Sequence, residues 1–159
     1  MSGVPESARD ADGQVVSLEV PAHPGYVLLA RLALSAVCRL TPLPDEDVAD
    51  LKLAVTEAAN MLVGGTMEDG AEADDRGSER TAPSGPLRPA PDPAPEGTLV
   101  FRFEVREHEL LIDIRSDADA ATPEDERELS HAIIAATVDE VQAGDGSIRL
   151  AKRLVDRSE

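Results

Sequence analysis

The sequence predicts an α/β chain of the α+β kind: a two-layer sandwich whose mixed, four- to five-stranded sheet carries helices on one face. Three observations predict it. Strand-like and helix-like runs alternate in the order β-α-α-β-β-α-β. The second helix carries its apolar residues at the 3,4,3,4 spacing of a core-facing helix. The segments able to order amount to roughly 110 residues, enough for one modest core.

Each element has its own grounds. Residues 1–13 are polar, with Gly, Ser and Asp, and read as a disordered N-terminal tail. Gln14–Val20 alternates Val16, Leu18 and Val20, a short strand. Gly25–Leu40 is apolar nearly all round; only Arg31, Ser35 and Arg39, four apart, line a narrow polar stripe. Pro42 and Pro44 stop that helix and start the next, with Asp45 and Glu46 at its positive end. Val48, Leu51, Val55, Ala58 and Leu62 then mark its buried side. Leu99–Val105 and Leu110–Ile114 flank the turn Arg106-Glu107-His108-Glu109 and read as a hairpin. Pro123–Gln142 reads as a helix with an acidic first turn, broken by Gly144-Asp145-Gly146. Ser147–Leu154 is the last strand.

Between Gly64 and Gly97 the pattern fails. This stretch holds six of the 12 prolines, six of the 11 glycines and eight acidic residues against three arginines. It cannot bury enough apolar surface to offset its ordering entropy, so it reads as a disordered insertion. Neither flank is complete alone. Residues 14–159 are therefore expected to form a single domain interrupted at 64–97.

Composition excludes several functions. A net charge of −17 leaves no basic face for nucleic-acid phosphates. Three aromatic residues, Tyr26, Phe101 and Phe103, make no base-stacking platform. No apolar run approaches the roughly 20 residues of a membrane span, and the first residues lack a secretion signal, so a cytoplasmic chain is expected. Cys38 sits in an apolar run as a small packing residue. No two of His23, His108 and His131 stand at metal-ligand spacing.

Two runs carry the most information. Pro21-Ala22-His23-Pro24-Gly25-Tyr26-Val27-Leu28-Leu29-Ala30-Arg31-Leu32 opens the first helix, and Asp50-Leu51-Lys52-Leu53-Ala54-Val55-Thr56-Glu57-Ala58-Ala59-Asn60 fills the second. Together they resemble the opening half of the RsbW-like anti-sigma factors, small serine kinases of the GHKL (Bergerat-fold, histidine kinase-like) ATPase superfamily. The element order follows that family along nearly all of the ordered chain.

The resemblance implies roles for particular residues. Glu57 matches the glutamate that acts as general base towards a substrate serine. The family's magnesium-holding asparagine falls four residues later, on Met61, while Asn60 stands one early. At about 100° per residue, Met61 lies about 40° from Glu57 and Asn60 about 60° to the other side. A thioether is a poor ligand for Mg²⁺. The adenine-reading Asp-x-Gly falls on Ser116 and Ala118, so Asp117 serves only if the strand slips by one residue. The two glycines of the phosphate cradle fall on Glu128 and Ser130. Arg31 matches a first-helix arginine that contacts both the sigma factor and its antagonist; beside Val27, Leu34 and Cys38 it would anchor an interface.

The expectation is thus an anti-sigma regulatory factor that sequesters a sigma subunit through Arg31 and is countered by an anti-anti-sigma (STAS-type) partner, its kinase activity lost or weak. The alternative is an active ATP-dependent serine-protein kinase that phosphorylates the anti-anti-sigma factor. It would use ATP and Mg²⁺, with Glu57 catalytic and Asn60 (metal and cofactor) and Asp117 (cofactor) in shifted roles. A third reading is a regulatory module with another kind of partner. The resemblance also implies pairing into a homodimer.

Overall fold

The computed structural model describes residues 13–63, 97–119 and 122–155. The expected tail, 1–13, and insertion, 64–97, lie outside the described residues except at Gly13 and Gly97. β1 (Gln14–Pro21) leads through a 3-10 turn at Pro24–Tyr26 into α1 (Val27–Cys38). There follow α2 (Asp45–Val63), β2 (Thr98–Val105), β3 (Glu109–Ser116), α3 (Glu124–Thr137), β4 (Glu140–Gly144) and β5 (Ser147–Arg153).

The strands lie side by side as β1-β2-β3-β5-β4, and all four ladders are antiparallel, where a mixed sheet was expected. The reason is topological. The passage from β3 through α3 skips one position to reach β4, and β5 folds back into the gap, so no parallel strands are neighbours. The helices cover one face in the order α1, α2, α3: α1 packs on β1, β2 and α2, and α3 packs on α2 and β4. Described residues on both sides of 64–96 share this sheet and its core.

Local chemistry sets the element ends. The His23 Nδ1 accepts from the Gly25 N–H at 3.0 Å and caps the 3-10 turn. Val48 N–H donates to Pro44 O at 3.1 Å, so α2 starts where the proline predicts, with Asp45, Glu46 and Asp47 in its first turn. Arg106 N–H donates to Glu109 O at 2.9 Å and closes the expected β2–β3 hairpin.

The third helix is shorter than its sequence pattern. It ends at Thr137 rather than running to Gln142, and Val138 is extended at φ −121°, ψ 162°. Asp139 holds the chain there: its N–H donates to Ala151 O at 3.0 Å and its carboxylate accepts from the Arg153 N–H at 2.7 Å. Residues 140–144 then form β4, joined to β5 through Asp145-Gly146 with Gly146 at φ +65°. Asp-Gly between alternating residues is a hairpin signal.

The core lies between the layers. Leu99, Phe101, Phe103, Leu110, Ile112, Ile114 and Leu150 from the sheet meet Leu34, Leu51, Val55 and Ile134 from the helices, all buried. Phe101 and Phe103 stand two apart on β2, with parallel rings and centroids 6.4 Å apart. Val48, Leu51, Val55, Ala58 and Leu62 face inward as their spacing predicts, with Val48 half-buried. The opposite sheet face is polar, with Arg102, Glu104, Asp113, Arg115 and Arg149 across its strands. No described helix is long and apolar enough to cross a membrane.

Candidate functional site

The seam between α2 and α3 holds the carboxylate singled out in the sequence. The Ser130 hydroxyl donates to Glu57 Oε2 at 2.9 Å. One turn along α2, the Thr122 hydroxyl donates to the Met61 carbonyl at 3.1 Å, and the Met61 side chain is buried. The Glu57–Met61 side of α2 therefore faces α3. Asn60, about 60° round the helix, is half-buried.

Two expected phosphate-site positions, Glu128 and Ser130, lie within α3 rather than in a loop before it. Backbone N–H groups inside a helix are bound to carbonyls one turn earlier and are not free to cradle a ligand. The first turn of α3 carries Glu124, Asp125 and Glu126.

Asp117 lies just past β3 and closes the sheet end. Its carboxylate accepts from the Thr98 N–H, and its own N–H donates to Thr98 O at 3.3 Å. Gly97 makes room for this clasp. At φ +95° a Cβ there would stand 2.8 Å from Asp117 Oδ1 and 2.9 Å from the Ala118 Cβ. Ala22, Val63, Gly97, Asp117, Ala118 and Asp119 line a cleft of about 450 Å³ that neither Glu57 nor Asn60 borders. The structure thus joins Glu57 to Ser130, a partner the sequence reading missed, and leaves Asp117 at a separate place.

Arg31 is exposed on α1. Its expected neighbours Val27, Leu34 and Cys38 belong to the core instead. The residues that flank it outward are Leu28, 58% exposed, Leu32, 59% exposed, and Leu29, 43% exposed. A helix apolar nearly all round has more such surface than one packing layer can cover, which was the available signal. Arg31 makes no ion pair among the described residues. Burial pushes the Cys38 thiol up to about 11, with Lys52 opposing, so it packs rather than reacts. His108 and His131 are exposed, on the hairpin turn and on α3. Among the described residues no three His, Cys, Asp or Glu side chains gather to hold a metal ion.

No protein-family model matches the chain, and no curated protein is similar to it in sequence. Its fold is similar to that in a crystal structure of the RsbU and RsbW domains of Rv1364c from Mycobacterium tuberculosis, with a TM-score of 0.52 and 13% identity. The match takes in 89% of this chain and 32% of that one, so the chain spans about a third of its neighbour's length. At that identity the likeness shows a shared fold: an open sheet with helices on one face.

Proposed function

We propose that this chain is an anti-sigma regulatory factor that captures a sigma subunit on the exposed face of α1, with kinase activity lost or weak. The observation that carries the docking half is the leucine stripe around Arg31. Leu28, Leu29 and Leu32 stand in water on a helix whose other side is fully packed. An apolar patch bordered by an arginine has the composition of an interface hot spot. The fold likeness to a structure that includes an RsbW domain points the same way.

The kinase half of the reading rests on donor chemistry. Phosphoryl transfer needs a metal-bridged phosphate and donors aimed at it. Beside Glu57 the α2 side chain one turn on is a buried thioether, and the Glu57 carboxylate is already hydrogen-bonded to Ser130. The acidic first turn of α3 repels a triphosphate, and Glu128 stands where a bare backbone is required. These residues do not suit ATP with Mg²⁺, and no catalytic step is assigned to Glu57, Asn60 or Asp117. Release of the sigma subunit then rests on competition by an anti-anti-sigma partner, governed by relative affinity rather than by phosphorylation.

The docking half is tested by capture of sigma subunits from the same cell on the immobilised chain. Arg31→Ala and Leu32→Ser should each weaken capture by roughly tenfold or more, about 1.4 kcal/mol, while unfolding midpoints stay put. Capture unchanged in both variants would remove α1 from the interface.

A further inference from the structure

The sheet face away from the helices is uncovered among the described residues, and its charges stand at two heights. Strand register places Ser17, Arg102, Asp113, Arg149 and Gln142 in one row across β1, β2, β3, β5 and β4. Arg115 stands two residues beyond Asp113 on β3, and so on the same face. Three guanidiniums from adjacent strands thus surround one carboxylate. Asp113 lies low, 18% exposed, while Arg102 and Arg149 rise above it at 53% and 51%. Glu104 also sits low, between Arg102 and Arg106. A ligand approaching this end of the face meets arginines first, on a chain whose net charge is −17.

These arginines have donors to spare. Arg149 gives its Nε–H to Asp113 at 2.7 Å, and its terminal nitrogens have no partner among the described residues. Arg102 comes no nearer to Glu104 than 3.7 Å, too long for a hydrogen bond. Arg115 is exposed and makes no ion pair among the described residues. The row lies in a hollow of about 630 Å³ that reaches from Ser17 to Gln142, with Val100, Leu111 and Ala151 between the charges. Four strand spacings make that reach about 19 Å, the length of about six extended residues. A small anion would occupy only one end of it.

We propose that this hollow receives an acidic segment of a partner protein, laid extended across the strands with carboxylates two residues apart in the forks of Arg102, Arg115 and Arg149. Charge sets the count. Three arginines around one aspartate leave two positive charges unbalanced, and two carboxylates match them. Guanidinium forks take carboxylates through paired, charge-assisted hydrogen bonds, and clustered arginines are a recurring reader of acidic motifs. Spacing agrees. Same-side residues of an extended peptide stand about 6.7 Å apart. Arg115 is the diagonal neighbour of both Arg102 and Arg149, about 7–8 Å away, a difference that long side chains absorb. This inference does not rest on the sigma-capture reading. The variants that test it lie on the outer sheet face, while those that test capture lie on α1.

Fluorescence anisotropy on the full chain provides the test, with a labelled peptide of about eight residues alternating glutamate and alanine as the probe. It should bind saturably, with affinity falling roughly tenfold between about 50 and about 300 mM salt. The same peptide with glutamine for glutamate should not bind. Arg115→Glu and Arg102→Gln should each weaken binding roughly tenfold or more with far-UV circular dichroism unchanged. If Arg102→Gln fails to fold, Arg115→Glu decides, because that exposed side chain holds no ion pair among the described residues. The rival occupants are a second copy of the chain and its own acidic residues Glu68, Asp69, Glu72, Asp74 and Asp75. Four results would each overturn the proposal: no saturable binding at about 1 mM peptide, or binding intact in folded Arg115→Glu, or binding only after Glu72→Gln with Asp74→Asn in the full chain, or a self-associating wild type that Arg115→Glu makes monomeric.

Discussion

Glu57 and Ser130 show how one hydroxyl changes the reading of a carboxylate. On sequence grounds Glu57 stood out through a family likeness alone, and nothing in the chain between them linked it to a serine 73 residues on. The bond is half-buried and charge-assisted, so Ser130→Ala should cost about 1–2 kcal/mol, measured as a lower urea midpoint. A midpoint unchanged would mean that water replaces the hydroxyl freely. Gly97 is a second instance. Gly97→Ala forces a side chain into a left-handed conformation against Asp117 and Ala118, and should destabilise by about 1–3 kcal/mol in the same assay.

Cys38 gives the residue-scale pH dependence. The folded chain holds the thiol proton up to about pH 11, from an ordinary value of 9.0. Below pH 9 both folded and unfolded chains keep the proton and the stability is fully present. Above it the unfolded chain loses the proton first. Stability should therefore fall between about pH 9 and 11, by about 2–3 kcal/mol in all. Subtracting the pH profile of Cys38→Ala isolates this step from the lysines and tyrosine; identical profiles would contradict it.

At the scale of elements, α2 and the β2–β3 hairpin were the most legible, because the periodicity of one and the turn of the other are local signals. The end of α3 was not. Ile133, Ile134, Val138 and Val141 continue a helical apolar pattern, while the extended backbone at Val138 depends on Asp139 reaching residues of β5. Tertiary hydrogen bonds overrode local preference there, and the Asp145-Gly146 turn was the overlooked local clue. Lys152 makes a second long-range tie. Rising from the inner face of β5, its ammonium stands 3.0 Å from Asp47 at the start of α2 and donates to the Thr137 carbonyl at the end of α3, at 3.4 Å. It thus complements the negative C-terminal end of α3 and neutralises a carboxylate in the first turn of α2. Lys152→Met should lower stability by about 1–2 kcal/mol, read by urea unfolding, and loosen α3 before the rest, read as faster amide exchange in that helix.

Viewed whole, the chain divides its chemistry by face. The helix layer presents acidic first turns on α2 and α3 and the leucine-flanked Arg31 on α1, while the outer sheet face holds paired arginines and carboxylates, among them Arg149 and Asp113 at 2.7 Å. The two-layer plan was legible because each strand's alternation fixes which side is apolar. The place of Asp117 was not, since whether a strand-end carboxylate meets a ligand or the neighbouring backbone depends on a pairing 19 residues away. The Arg31 surroundings were misjudged for a similar reason: in a helix apolar all round, only the packing decides which leucines stay outside.

The function proposed above has α1 grip another protein while the residues at the α2–α3 seam, with Glu57 bonded to Ser130 and Met61 buried, do not suit a nucleotide. Thermal unfolding of the full chain with and without millimolar Mg-ATP tests this most directly, because a ligand that binds only the folded state must raise the midpoint. The predicted result is superimposable curves; a rise of several degrees would contradict the account.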